Sequence, residues 1–195
     1  DIEVKGPDRI QPLASQKMMT RPENLATLRG LSESEAGDVL ATYYFKWDNS
    51  CSFLLYAEPD SGRFYTTGQG QKPWNPITKN TRFILENYRA ALDAPGEWFL
   101  DRDGTLLYIP LPGEEMETAE VYAPVLSQIV EIKGTPNQRV SDKTFRNLCF
   151  VHTAYYTPKQ GVPPEQAAAD IEATIEMDYA DRIVIDNCEI RHIGN

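Results

Sequence analysis

The chain has 195 residues, of which 41% are hydrophobic and 25% charged, ordinary values for a folded protein and too polar for a run of about 20 apolar residues that would span a bilayer. A net charge of -10 repels phosphate backbones, and the lysines and arginines are scattered rather than striped, so neither nucleic acid nor membrane is an expected partner. The length suits one large core or two small ones.

In chain order, the first forty residues form a leading segment without a distinctive pattern, and no basic stretch followed by an apolar run opens them. From Ala41 to Leu126 the texture is all-β. The runs ATYYFKW, FLLYAEPDSGRFYTTG, TRFILENYRAAL, GEWFLDRDGTLLYIPLPGE and AEVYAPVL are aromatic and β-branched and are broken by turn residues. One hairpin is expected to turn at Asp60-Ser61-Gly62, between Leu54-Leu55-Tyr56 and Phe64-Tyr65. A second is expected to pair Trp98 and Leu100 with Leu106 and Tyr108 across Asp103-Gly104. Short strands at this spacing predict a small β-sandwich over residues 41–126, with Trp47 and Trp98 in its core.

From residue 127 onward the strands shorten and carry an asparagine near each centre. Aligning TFRNLCFVH with VIDNCEIRH places Phe145 on Ile185, Asn147 on Asn187, Phe150 on Ile190 and His152 on His192, each pair 40 positions apart. A constant offset marks a repeat, and a rung of a parallel β-helix is its natural unit. Residues 154–170, rich in Pro, Gly and Gln, read as an excursion from the later rung. Asn147 and Asn187 suit tight bends, because asparagine tolerates the left-handed region and stacked amides bond rung to rung. Ile171, Ala173, Ile175 and Met177 are expected to face inward, with Glu172, Thr174, Glu176 and Asp178 facing outward. The chain stops at HIGN where a next strand is expected, which reads as a cut from something longer.

The runs APGEWFLDRDGTLLYIPLPGEEMETAEVYAPVLSQIVEIKG, TFRNLCFVHTAYY and RIVIDNCEIRHIGN, with QAA at residues 166–168, resemble right-handed parallel β-helix proteins of the glycoside hydrolase family 141 type. The run KPWNPITKNTRFILENYRAALDAPGEW resembles the β-sandwich inserted into the first part of that helix. The resemblance covers residues 41–195, and residues 1–40 are expected to be the leading segment of the β-helix region into which the sandwich is inserted. It implies an all-β fold, a pectate-lyase-like solenoid carrying a sandwich insertion. It also implies a secreted or periplasmic protein acting on complex polysaccharide with fucosidase- or xylanase-like activity, and catalytic carboxylates on rungs beyond Asn195, so that residues 1–195 alone are expected to be nearly inactive.

Glycoside hydrolysis needs two carboxyl groups, about 5–5.5 Å apart for retention and about 6.5–9.5 Å for inversion. Glu176 and Asp178, two residues apart on one strand face, lie roughly 6.5–7 Å apart and are the candidate pair in this chain. They read equally as substrate-groove residues or as a solvated acidic face. His152 and His192, the two histidines, either reach a sugar hydroxyl from a strand end or stack on one another. Trp74, held between prolines in KPWNP, and Tyr155 and Tyr156 on the excursion offer flat apolar faces for a sugar. Substrate contact is therefore assigned to His152, Tyr155, Tyr156 and Trp74.

No cofactor or metal is expected. Asp101-Arg102-Asp103-Gly104 opens like a calcium loop, but Pro112 stands where its closing glutamate belongs. Cys51, Cys149 and Cys188 have no metal-ligand spacing and read as buried small hydrophobes, with a disulfide between two of them as the alternative. Two other readings remain open. A β-helix polysaccharide lyase needs a basic residue on the outer strand face. A non-catalytic glycan-binding or adhesin module needs exposed Trp or Tyr.

Overall fold

The computed structural model describes residues 16–68, 75–162 and 172–194. Among them the fold is all-β. One α-helix occurs, α1 (Glu33–Ala36), closed by a capping box in which the Ser32 amide donates to the Glu35 carboxylate at 2.8 Å and the Glu35 amide donates to the Ser32 hydroxyl at 3.3 Å. Contacts divide the chain into two compact units, one containing residues 16–68, 75–119 and 157–162, the other residues 120–156 and 172–194.

The first unit is built on an antiparallel sheet of β1 (Lys17–Met19), β4 (Arg63–Thr66), β3 (Asn49–Glu58), β2 (Leu40–Tyr44) and β5 (Arg82–Glu86), in that spatial order. Alternation drives it: on β4, Phe64 and Thr66 are buried while Arg63 and Tyr65 stay half-buried. The β3–β4 hairpin turns through Pro59–Ser61 and closes on Gly62 at φ +66°, as its sequence predicts. Gly62 has no substitute there, since a Cβ would stand 2.1 Å from the Thr20 carbonyl oxygen. Leu25 and Leu28, from a 3-10 segment over Pro22–Leu28, join Val39, Ala41, Tyr43, Leu54 and Phe64 in one core. Lys17–Met19 thus add an edge strand to this sheet, and Pro22–Leu28 add to its core. A separate hairpin, β6 (Trp98–Leu100) with β7 (Leu106–Tyr108), has the expected register, Trp98 opposite Tyr108 and Leu100 opposite Leu106.

Both tryptophans assigned to a core are at the surface. Trp98 is 67% exposed because β6 and β7 pair only with each other, leaving one hairpin face uncovered by the described residues. Trp47 is 73% exposed because β2 ends at Tyr44, and Trp47 falls in the turn closed by the Phe45 amide on the Asp48 carbonyl at 2.9 Å.

The second unit consists of parallel pairs. β8 (Val130–Lys133), β9 (Val140–Ser141), β10 (Thr144–Arg146) and β11 (Cys149–Val151) lie beside β12 (Ile175–Asp178), β13 (Ala180–Asp181), β14 (Val184–Asp186) and β15 (Glu189–Arg191). The pairs are β8 with β12, β9 with β13, β10 with β14 and β11 with β15, each in parallel register. Phe145 pairs with Ile185 and Phe150 with Ile190, the offset of 40 read from the sequence. Val130 pairs with Ile175 at an offset of 45 because a tight turn, Thr135 to Gln138, is added between β8 and β9 and has no counterpart after β12.

Corners recur every five residues. Asp142, Asn147 and His152 have φ of +59°, +58° and +61°, and their partners Arg182, Asn187 and His192 have +51°, +50° and +51°. A left-handed backbone costs a non-glycine residue roughly 1–2 kcal/mol, and each corner pair carries a side-chain contact that offsets part of this. Arg182 grips the Asp142 carboxylate at 2.6 and 2.7 Å, Asn187 Nδ2 donates to Asn147 Oδ1 at 2.7 Å, and the His152 and His192 rings stack.

The expected inward alternation holds only in part. Ile175 and Met177 pair with Val130 and the buried Ile132, but Met177 is 36% exposed, Ala173 is exposed and Thr174 is only 3% exposed, while Ile171 lies outside the described residues. Thr174 precedes the strand at a bend, where its hydroxyl bonds that of Thr153 at 3.0 Å inside the unit. Cys149 also departs from its reading: it is exposed, while Cys51 and Cys188 are half-buried, and all three are free thiols.

Candidate functional site

The residues proposed for chemistry gather in the second unit, apart from Trp74, which lies outside the described residues. β12 presents Glu176 and Asp178 on one face, with Met177 between them on the other. Parallel register sets Glu131 beside Glu176 and Lys133 beside Asp178, so the face holds three carboxylates and one ammonium. Lys133 pairs with Glu131, and that bond, with the charges of Glu131, Glu176 and Asp178, raises its pKa above the ordinary lysine value. Glu176 is half-buried and accepts a hydrogen bond from Gln128 Nε2 at 2.9 Å; the same amide reaches the Ala173 carbonyl at 3.2 Å. Asp178 is exposed.

His152 and His192 adopt the stacked arrangement. Their centroids are 5.4 Å apart and their planes differ by 5°, and the His152 amide donates to the His192 carbonyl at 3.0 Å. Tyr122 lies parallel to His152 at 4.3 Å, with its hydroxyl on the Glu120 carboxylate at 2.8 Å. His152 is thereby half-buried, whereas the His192 side chain is exposed. The Thr153–Thr174 bond joins the end of the His152 strand to the start of the Glu176 strand.

Tyr155 and Tyr156 follow, Tyr156 being 68% exposed. Gly194 packs onto this stretch so closely that a Cβ would stand 2.7 Å from the Tyr155 nitrogen.

Chemically, such a face can accept hydrogen bonds through Glu176 and Asp178 and donate them through Lys133 and Gln128. The spacing of alternate residues on β12, roughly 6.5–7 Å, leaves room for a water between two carboxylates. Lys133, Gln128 and Glu131 escaped the sequence reading because β8 is 45 residues from β12, not 40. The signal was present in the matching patterns VEIK and IEMD, the first followed directly by the Gly134-Thr135-Pro136-Asn137 turn that the second lacks. No group of three or more metal-ligating side chains occurs among the described residues, and no described helix is long and apolar enough to cross a membrane.

Elsewhere, an open recess of about 1300 Å3 lies in the first unit, floored by Met18, Tyr43, Phe64 and Tyr88. No sequence feature pointed to it.

The chain matches no protein-family model. It matches none of the curated proteins. Among solved structures, a chain titled "Glycoside hydrolase" superposes over 95% of this chain with a TM-score of 0.76 at 19% identity. The present chain spans 38% of that chain's length. The likeness is one of fold.

Proposed function

We propose that this chain is part of a carbohydrate-active glycoside hydrolase whose second unit is the start of a right-handed parallel β-helix of the family 141 type. The reading is carried by one observation: a chain bearing a 40-residue parallel repeat shares its fold, at a TM-score of 0.76, with a chain titled "Glycoside hydrolase". The substrate is a complex polysaccharide and the activity fucosidase- or xylanase-like, in a secreted or periplasmic protein. Glu176 and Asp178 bind sugar hydroxyls, with Tyr155 and Tyr156 of the same unit as apolar contacts and His152 holding the strand end in place; Trp74, outside the described residues, is assigned to sugar contact from its sequence alone. The catalytic pair stands on coils following residue 195. There one carboxylic acid protonates the leaving oxygen, and a carboxylate activates water or attacks the anomeric carbon.

The test is an assay of the longer parent chain and of residues 1–195, at equal molarity, against aryl fucosides, aryl xylosides and xylan. The parent is expected to turn over and the shorter chain to show only a trace. Comparable rates, abolished by Glu176→Gln or Asp178→Asn, would move the active site onto β12.

One observation favours a second reading. Lys133 lies beside Asp178 in register, so the outer face does carry the basic residue that a polysaccharide lyase requires. A lyase leaves an unsaturated uronate with strong ultraviolet absorbance, and a hydrolase does not.

A further inference from the structure

We propose that the recess in the first unit binds an acidic oligosaccharide segment, one bearing carboxylate or sulfate groups, at a site separate from the β12 face. The saccharide part of this inference rests on the function proposed above; the anionic part rests on the recess itself. Of the residues lining it, Arg21, Lys79 and Arg82 are cationic, and none is Asp or Glu, in a protein of net charge -10 with 29 acidic residues. A local excess of this sign in an acidic chain is where an anion is held.

None of the three cations has an ion-pair partner among the described residues, whereas Arg29, Arg63, Arg102, Lys133, Arg139, Arg146, Arg182 and Arg191 all do. All three side chains are exposed at the rim. They are placed by backbone rather than by one another. Arg82 opens β5 opposite Tyr44 of β2, whose ring is 45% exposed. Lys79 rides a turn closed by the Thr81 amide on the Thr78 carbonyl at 3.1 Å and the Thr78 amide on the Thr81 hydroxyl at 2.8 Å. Arg21 leads into the 3-10 segment, where the Asn24 amide donates to its carbonyl at 3.0 Å.

The guanidinium groups match the fork of a carboxylate or sulfate, Lys79 adds a point charge, and Asn24, Asn80 and the Tyr44 ring supply the polar and flat contacts a pyranose uses. A volume of about 1300 Å3 exceeds the roughly 300–1,000 Å3 of a small-molecule pocket and suits several sugar residues.

Isothermal titration of the protein with hexagalacturonate, a heparin-type sulfated hexasaccharide and neutral xylohexaose tests this. At least one anionic probe is expected to bind about tenfold or more tighter than xylohexaose, and which one does so separates carboxylate from sulfate recognition. The double variant Lys79→Gln/Arg82→Gln is expected to lose about tenfold or more of that affinity with its melting temperature unchanged. Lys143→Gln/Lys159→Gln, the same charge change placed elsewhere, is expected to lose little. Anionic probes binding no tighter than xylohexaose, a recess variant that binds as the parent does, or equal losses in both double variants would overturn the proposal. Glycan hydrolysis by the longer chain is read in a separate assay, so failure here with hydrolysis intact removes the recess alone.

Discussion

Asn187 donates its side-chain amide to Asn147 across 2.7 Å, and both residues hold a left-handed backbone, at φ +50° and +58°. One residue type thus meets two demands at each corner. Asn147→Ala is expected to lose the amide bond and to strain the backbone, costing about 1–2 kcal/mol, while Asn147→Gly loses the bond but keeps the corner. Urea unfolding is expected to place the Gly variant between the parent and the Ala variant; an Ala variant as stable as the Gly variant would show that the corner is not strained.

At Gly134, too, the neighbouring backbone approaches too closely for a side chain. A Cβ there would stand 2.4 Å from the Tyr179 carbonyl oxygen and 3.0 Å from the Gln138 oxygen, and the Gly134 amide already donates to the Asp178 carbonyl at 2.9 Å. Gly134→Ala is therefore expected to push β8 from β12 and cost on the order of 1–3 kcal/mol, read as a lower urea midpoint. Because the β12 face is assembled by this pairing, the same variant is expected to weaken glycan binding there.

The pattern that the sequence reveals and the pattern that it hides differ in range. The two hairpins, the 40-residue offset and the asparagine bends are written in neighbouring residues or in a strict repeat, and each stands in the structure. The matching corner at Asp142 and Arg182 was masked by unlike residues, though it obeys the same offset. Trp47 and Trp98 looked internal because burial was inferred from residue type, whereas the deciding facts were where β2 stops and which strands pair with β6. Thr174 faces inward through a bond to Thr153, 21 residues away. Arg21 is some sixty residues from Lys79 and Arg82, and the fold of the first unit brings the three to one recess.

Tyr43 sets an alkaline limit. Burial removes its hydroxyl from water, with no hydrogen-bond partner among the described residues, and pushes the phenol well above the ordinary value of about 10. A group with a raised folded pKa contributes stability that is fully present below its unfolded value and is lost as pH rises towards the folded one. The urea midpoint is therefore expected to fall above about pH 10, and Tyr43→Phe is expected to flatten that fall. An equally steep fall in the Phe variant would assign it to other tyrosines.

On the acid side the corner pair acts in the opposite sense. The Arg182 guanidinium holds the Asp142 carboxyl below the usual aspartate range, and Arg139 does the same for Asp181. Depressed carboxyls contribute stability above the unfolded value of about 3.9 that is lost as pH falls through the folded one. Both carboxylates are exposed or half-exposed, so the effect is small and screened by salt. Arg182→Gln is expected to shift the acid unfolding midpoint of the second unit upward, and the shift is expected to shrink as salt is added.

The most direct measurement is the chemistry of the product released by the longer parent chain from xylan, fucosylated polysaccharide and polygalacturonate, followed by reducing-end titration and proton NMR. Hydrolysis predicts one new reducing end for each bond cut, a saturated sugar at the other end, and an anomeric signal of a single configuration at early times. An unsaturated sugar at the non-reducing end would contradict the account and assign the β12 face, with Lys133, to a lyase; binding without any new ends would leave a glycan-binding module.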